Sequence, residues 1–164
     1  MDRFDTCAGS GVAWRMLRDL FTPESVSLSL GGASKDDVLL ALVGLLGLDE
    51  RASSSLHRML RRRESHGSTG VGRGVAIPHA RSLAVDRVRL AYGRHDDGVP
   101  YDAIDARPVR HLFLIVAPPV ELSSQYLPVL GKVAQFVKEP DVIDRLGRLT
   151  QPQEFFALLE EKHQ

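Results

Sequence analysis

The chain has one cysteine, Cys7, which excludes an internal disulfide framework and any metal site built from several thiolates. It has no excess charge, since 21 Lys and Arg balance 21 Asp and Glu. A general nucleic-acid binder needs a basic face to neutralise phosphates, so this balance argues against that class. Long apolar runs are missing too. The longest, residues 38–48, falls far short of the roughly 20 residues that span a bilayer, so no membrane insertion is expected. The start Met1-Asp2-Arg3-Phe4-Asp5 lacks a basic segment followed by an apolar one, so no signal peptide is expected and the default location is cytoplasmic. None of the six histidines stands at metal-ligand spacing from another histidine or from the cysteine, and no metal or cofactor is expected. Neither a P-loop nor a dinucleotide fingerprint nor a Gly-x-Ser-x-Gly elbow occurs. What is present is 164 residues, 43% hydrophobic and 26% charged, the make-up of one soluble globular domain.

Periodicity divides the chain into a loose arm at 1–12 and a single domain at 13–164. Trp14, Leu17 and Phe21 suit a short amphipathic helix, broken at Thr22-Pro23. Residues 25–30 alternate Val26, Leu28 and Leu30 with serines, a half-buried strand. Ser34 is placed to cap a deeply packed helix with Asp36 and Asp37 in its first turn, running to about Leu46. A second helix follows Asp49 and ends on Arg61-Arg62-Arg63. Strands are expected at 88–92 and 112–116, with a turn at Asp97-Gly98 and a break at Pro108. Ser123 or Ser124 caps a helix carrying Leu127, Leu130, Val133 and Val137, and two short helices finish the chain, with Thr150 and Gln153 at capping-box spacing. A direct strand-to-strand connection among helices predicts an α+β fold, a mixed sheet with helices on both faces.

The most unusual segment runs Arg63-Glu64-Ser65-His66-Gly67-Ser68-Thr69-Gly70-Val71-Gly72-Arg73-Gly74-Val75-Ala76-Ile77-Pro78-His79. By composition it is a tight glycine-rich connection whose backbone can approach another group closely, with two hydroxyls and arginines at its edges. It leads through a short apolar strand to His79, with a proline fixing the backbone before it.

This segment resembles the active-site signature of enzyme IIA domains of the mannitol/fructose class of the bacterial phosphotransferase system, most nearly their nitrogen-regulatory branch. The likeness extends to Leu17-Arg18-Asp19-Leu20-Phe21-Thr22-Pro23-Glu24 and to Tyr101-Asp102-Ala103-Ile104-Asp105-Ala106-Arg107-Pro108-Val109, and covers residues 13–161. It implies a three-layer α/β/α fold of the mannitol IIA type. It also implies a phosphocarrier whose His79 accepts a phosphoryl group from phosphorylated HPr or its nitrogen-branch counterpart. A neutral imidazole has one free lone pair and needs no separate base; the other nitrogen keeps its proton and points it at an acceptor, and the resemblance assigns the phosphoryl group to Nε2. Phosphoryl transfer then asks mainly for positioning and charge stabilisation. Arg63 is the expected phosphate-binding arginine in preference to Arg73, and the hydroxyls of Thr69 and Ser68 are expected either to contact phosphate or to brace the loop. Arg61, Arg62 and Arg81 read as solvated charges, Val71 as part of a docking rim and Ile77 as core.

One departure stands out. Relatives that relay phosphate to a sugar-specific IIB domain carry a second histidine near the start of the long helix, where this chain has Tyr126. A tyrosine offers one hydroxyl hydrogen bond and no positive charge near neutral pH. The resulting expectation is a regulatory IIA with weakened onward transfer, with a regulatory protein or IIB as target. The alternatives are a sugar-transport IIA serving a fructose- or mannitol-type IIB, and a non-phosphorylated module that binds an anion or a protein on the same scaffold.

Overall fold

The computed structural model describes residues 17–119 and 125–162. The expected arm, Cys7, the helix start at Trp14 and the caps at Ser123 and Ser124 lie outside them. Leu17–Leu20 and Pro23–Ser25 are short 3₁₀ turns, and the strand expected at 25–30 shrinks to β1, Val26–Ser27. Beyond it the Leu30 N–H still donates to the Arg94 carbonyl at 2.8 Å, and the Leu30 side chain lies over Gly93, where a Cβ would fall 2.6 Å from a leucine methyl.

Helix α1, Lys35–Gly44, begins as expected: Ser34 Oγ accepts the Asp37 N–H at 3.1 Å. Its end comes slightly earlier than the sequence implied. Val38, Leu39, Leu42 and Val43 are fully buried. Helix α2, Glu50–Ser65, is capped by Asp49 through the Ala52 N–H at 2.7 Å and buries Leu56, Leu60 and Glu64 at successive four-residue steps.

Four strands follow α2 before the longest pair is complete: β2 (Gly70–Gly72), β3 (Val75–Ala76), β4 (His79–Arg81) and β5 (Arg89–Val99), which turns back into β6 (Val109–Ala117). The sheet order is β1-β5-β6-β3-β2, with β4 also paired to β6. Strands β5 and β6 are antiparallel, while β3 and β4 run parallel to β6. The expected turn at Asp97-Gly98 is instead a bulge inside β5: the register slips between Arg94 and Val99, and Gly98 supplies the positive φ of 80°. Glycine in a strand marks a bulge as readily as a turn.

The continuous apolar run of β6 is explained by burial on both faces. Phe113, Ile115 and Ala117 face one core, and Leu112, Leu114 and Val116 face the other. The second core is closed by α1 and α2, the first by α3 (Tyr126–Lys138), α4 (Val142–Arg148) and α5 (Pro152–Glu161). The result is the expected α/β/α sandwich. The capping box of α5 uses Gln151 and Glu154, one residue later than Thr150 and Gln153; Thr150 instead gives its N–H to Glu154 Oε1 at 2.7 Å. No helix of the described residues is long and apolar enough to cross a membrane.

His111 is 3% exposed and shares a 2.8 Å hydrogen bond between its Nδ1 and the Tyr92 hydroxyl. Burial, with Arg110 and Arg94 adding repulsion, pushes its pKa down to about 4 from 6.5. The folded state therefore binds fewer protons than the unfolded chain between those values. Stability is complete above the unfolded pKa and lost as pH falls toward the folded one. Urea unfolding should show a loss of about 3 kcal/mol from this group between pH 7 and pH 4. In His111→Phe that part of the pH dependence should vanish, and an unaltered curve would refute the assignment.

Candidate functional site

The site is assembled where α2 ends, β4 begins and α3 begins. The last turn of α2 sends Glu64 inward and leaves Arg63 half-buried at the edge, where its Nη1 donates to the Gly67 carbonyl at 2.8 Å. The chain then crosses to the sheet through the glycine segment. A side chain at Gly70 would put its Cβ 2.7 Å from that of Ala103, so this crossing requires glycine. Arg73 and Gly74, at φ of 60° and 79°, form the two-residue hairpin between β2 and β3.

Glu64 is the organising group of the crossing. Its carboxylate accepts the Thr69 N–H at 3.0 Å, the Thr69 hydroxyl, and the Tyr101 hydroxyl at 3.2 Å, and it pairs with Lys35 Nζ at 3.0 Å. Lys35 also lies 4.4 Å from the centre of the Tyr101 ring. Burial and the Glu64 charge push the Tyr101 hydroxyl well above the usual tyrosine range, which keeps it a donor.

These contacts bear on the two roles open to Thr69 and Ser68. Thr69 is 5% exposed and its single hydroxyl proton goes to Glu64; the hydroxyl proton of Ser68 goes to the Tyr101 carbonyl at 2.8 Å. Neither is left to donate to a phosphoryl oxygen. Both hydroxyls brace the loop instead.

His79 opens β4, half-buried, with its backbone in register with Ile115 of β6. Its Nδ1 lies 2.7 Å from the Ile77 carbonyl. A carbonyl only accepts, so Nδ1 carries the proton and, in the neutral ring, Nε2 carries the lone pair. Ile77 itself is buried at 3%, as expected, and Val71 is exposed at 51%.

Tyr126, the first residue of α3, lies with its ring centre 5.8 Å from that of His79, tilted by 60°. The Arg81 guanidinium stacks 4.5 Å over the Tyr126 ring, and its Nη1 donates to the Pro118 carbonyl at 2.8 Å. Arg81 is therefore a fixed charge beside the imidazole and not the solvated one its sequence position implied. Burial raises the Tyr126 hydroxyl above its ordinary range, against the smaller opposing effects of Arg81 and then Arg63. Both arginines thus act on the ground next to His79. Arg73 does not: its Nη1 reaches Val137 at 3.4 Å, at the opposite end of α3 from Tyr126.

Sequence reasoning named His79, Arg63 and Tyr126, which the fold brings together, and missed Glu64, Lys35, Tyr101 and Arg81 as parts of the site. The Glu64 partners come from other elements, so no local spacing announces them. No group of three or more His, Cys, Asp or Glu among the described residues is arranged to hold a metal ion.

Comparison with known proteins places this geometry among relatives. Residues 19–162 match the family described as phosphoenolpyruvate-dependent sugar phosphotransferase system, EIIA 2. A nitrogen regulatory protein of Pseudomonas aeruginosa is 33% identical over 132 residues, covering 79% of this chain and 85% of its own length. The fructose-specific EIIABC component of Bacillus subtilis is 28% identical over 134 residues; the match takes in 79% of this chain but only 21% of that protein. Among solved structures, the nitrogen regulatory protein IIA-Ntr from Neisseria meningitidis superimposes with a TM-score of 0.78 at 27% identity, over 87% of this chain and 98% of the other.

Proposed function

The chain belongs to the phosphoenolpyruvate-dependent sugar phosphotransferase system EIIA 2 family, and from that premise we propose that it is a phosphohistidine carrier with His79 as the acceptor. The observation that carries this reading is the Nδ1–Ile77 carbonyl hydrogen bond of 2.7 Å, which holds the ring in one tautomer with Nε2 as nucleophile. In the transfer, the P–N bond of a donor phosphohistidine breaks as the bond from phosphorus to His79 Nε2 forms. The donor ring recovers its lone pair and the Nδ1 proton of His79 stays in place. Arg63 and Arg81 offset charge on the equatorial oxygens; Thr69 and Ser68 hold the loop that positions Arg63.

The donor is a phosphorylated HPr-type protein, and the carrier meets it in the cytoplasm. Incubation with such a donor and phosphoenolpyruvate should add the mass of one phosphoryl group, removed by acid. Absence of any gain under conditions that label a known IIA would reject the reading.

The regulatory role is favoured by Tyr126. A raised-pKa phenol beside the phosphorylated ring supplies a hydrogen bond but no charge, and the Arg81 guanidinium stacks on the face of its ring. Passage to a fructose- or mannitol-type IIB is the second reading, favoured by the likeness to the fructose-specific relative. Tyr126→His should raise the rate of phosphoryl loss to a IIB protein by about tenfold, about 1.4 kcal/mol of transition-state stabilisation. Equal rates for the two proteins would remove Tyr126 from the account of regulation.

A further inference from the structure

A pocket of about 360 Å³ opens between the β2–β3 hairpin and the C-terminal half of α3, with Ile143 of α4 completing the lining. Its floor is apolar: Val75, Ile77 and Val137 are buried, and Ala134 and Ile143 are half-buried. Val71 and Gly72 line it from the hairpin side. The two charged residues of the lining are both cations, Arg73 and Lys138, and no carboxylate lines it among the described residues. Neither cation is in an ion pair among those residues; the Arg73 guanidinium makes one long contact, from Nη1 to the Val137 carbonyl at 3.4 Å. The Arg73 backbone is left-handed at φ of 60°, a conformation that favours glycine or asparagine, so the turn itself gives no reason for a long cation there. Acids close in the chain or in space are engaged elsewhere. Asp105 accepts the Arg73 and Arg107 N–H groups at 2.9 Å and 3.1 Å, and Glu139 lies 3.8 Å from Lys162 Nζ.

We propose that this pocket is a binding site for a small organic anion, a monocarboxylate with a compact apolar tail. An apolar floor takes the tail, and the two cations select the head: a guanidinium pairs bidentately with a carboxylate, and the ammonium adds a point charge. The volume stands near the lower end of small-molecule sites, which begin at about 300 Å³, so one ring or a branched chain fits and a long acyl chain does not. Binding needs no phosphoryl transfer, so the inference stands without the phosphocarrier reading. The two meet at one residue. Ile77 lines the pocket, and its carbonyl holds Nδ1 of His79, so an occupant packs against the residue that orients the imidazole.

The test is an amide NMR titration of the full, unphosphorylated chain with 3-phenylpropionate. Two parallel arms carry half of its chemistry each: acetate has the charge without the ring, and 3-phenylpropanol the ring without the charge. The acid should bind saturably with a dissociation constant of about 1 mM or tighter, moving the amides of Val71, Gly72, Val137 and Lys138, and each half-ligand should bind at least about tenfold more weakly. Arg73→Asn with Lys138→Gln should weaken the acid about tenfold and leave the alcohol unchanged. Asparagine accepts the left-handed backbone and Lys138 is exposed, so this fold should survive. Ala134→Leu, which extends a side chain into the cavity, should weaken acid and alcohol alike. No saturable binding of the acid, or shifts that avoid the pocket, would overturn the proposal. So would equal affinity for acid and alcohol, or an undiminished affinity in the double variant, because the cations would then select nothing. Acetate binding as tightly as the acid would overturn it too, since the apolar floor would have no part in recognition.

Discussion

Alanine at position 79 should abolish acid-labile phosphorylation by an HPr-type donor while the protein keeps its fold. Only the proposed nucleophile is removed: the neighbouring arginines, Tyr126 and the glycine segment are held by other contacts as well. The half-buried ring contributes one hydrogen bond to a carbonyl that belongs to its own strand region, so the stability lost should be about 1 kcal/mol. Intact mass after incubation with donor, paired with a urea melt, separates the two effects. Stoichiometric acid-labile phosphate on the alanine variant would mean that another residue is the acceptor. A variant that unfolds without denaturant would mean that the ring has a structural role the contacts do not disclose.

The second large effect belongs to a residue that never meets phosphate. Glu64→Ala removes the common acceptor of Lys35, Thr69 and Tyr101, leaving a partly buried ammonium and two buried hydroxyls without it. Removing one partner of a buried ion pair costs about 3–5 kcal/mol, so the midpoint of urea unfolding should fall steeply. Phosphoryl acceptance should slow too, because the Thr69 tether sets where the glycine segment leaves α2 and thereby where Arg63 stands. Glu64→Gln retains the shape and part of the hydrogen bonding and should lie between. A midpoint for Glu64→Ala that matches the unsubstituted protein would show that the network does not hold the loop.

Much of this was legible in the sequence because the signals are local. Ser34 and Asp49 announce their helices through a cap whose partners lie three residues away, and the apolar run at 112–116 announces a strand buried on both sides. The failures have a common cause, which is competition from contacts distant along the chain. The alternation at 25–30 promised a strand, but only Val26 and Ser27 pair in register, with Tyr92 and Gly93, and Leu30 adds one backbone bond to Arg94. Asp97-Gly98 carries the chemistry of a turn, and pairing of Val99 with Val109 turned it into a bulge. Ser68 and Thr69 have hydroxyls suited to phosphate, and Tyr101 and Glu64 claimed them first. Arg81 looked solvated until Tyr126 and Pro118, from the other side of the sheet connection, fixed it.

His79 is tied to the sheet twice, by its backbone pairing in β4 and by its ring nitrogen to Ile77. Neither tie needs to break when Nε2 gains a group. The loaded and empty forms should therefore share one outline, and a partner would tell them apart by the local electric field, which swings toward the negative over a small area of otherwise cationic surface. Such a signal is short-ranged and fades with added electrolyte.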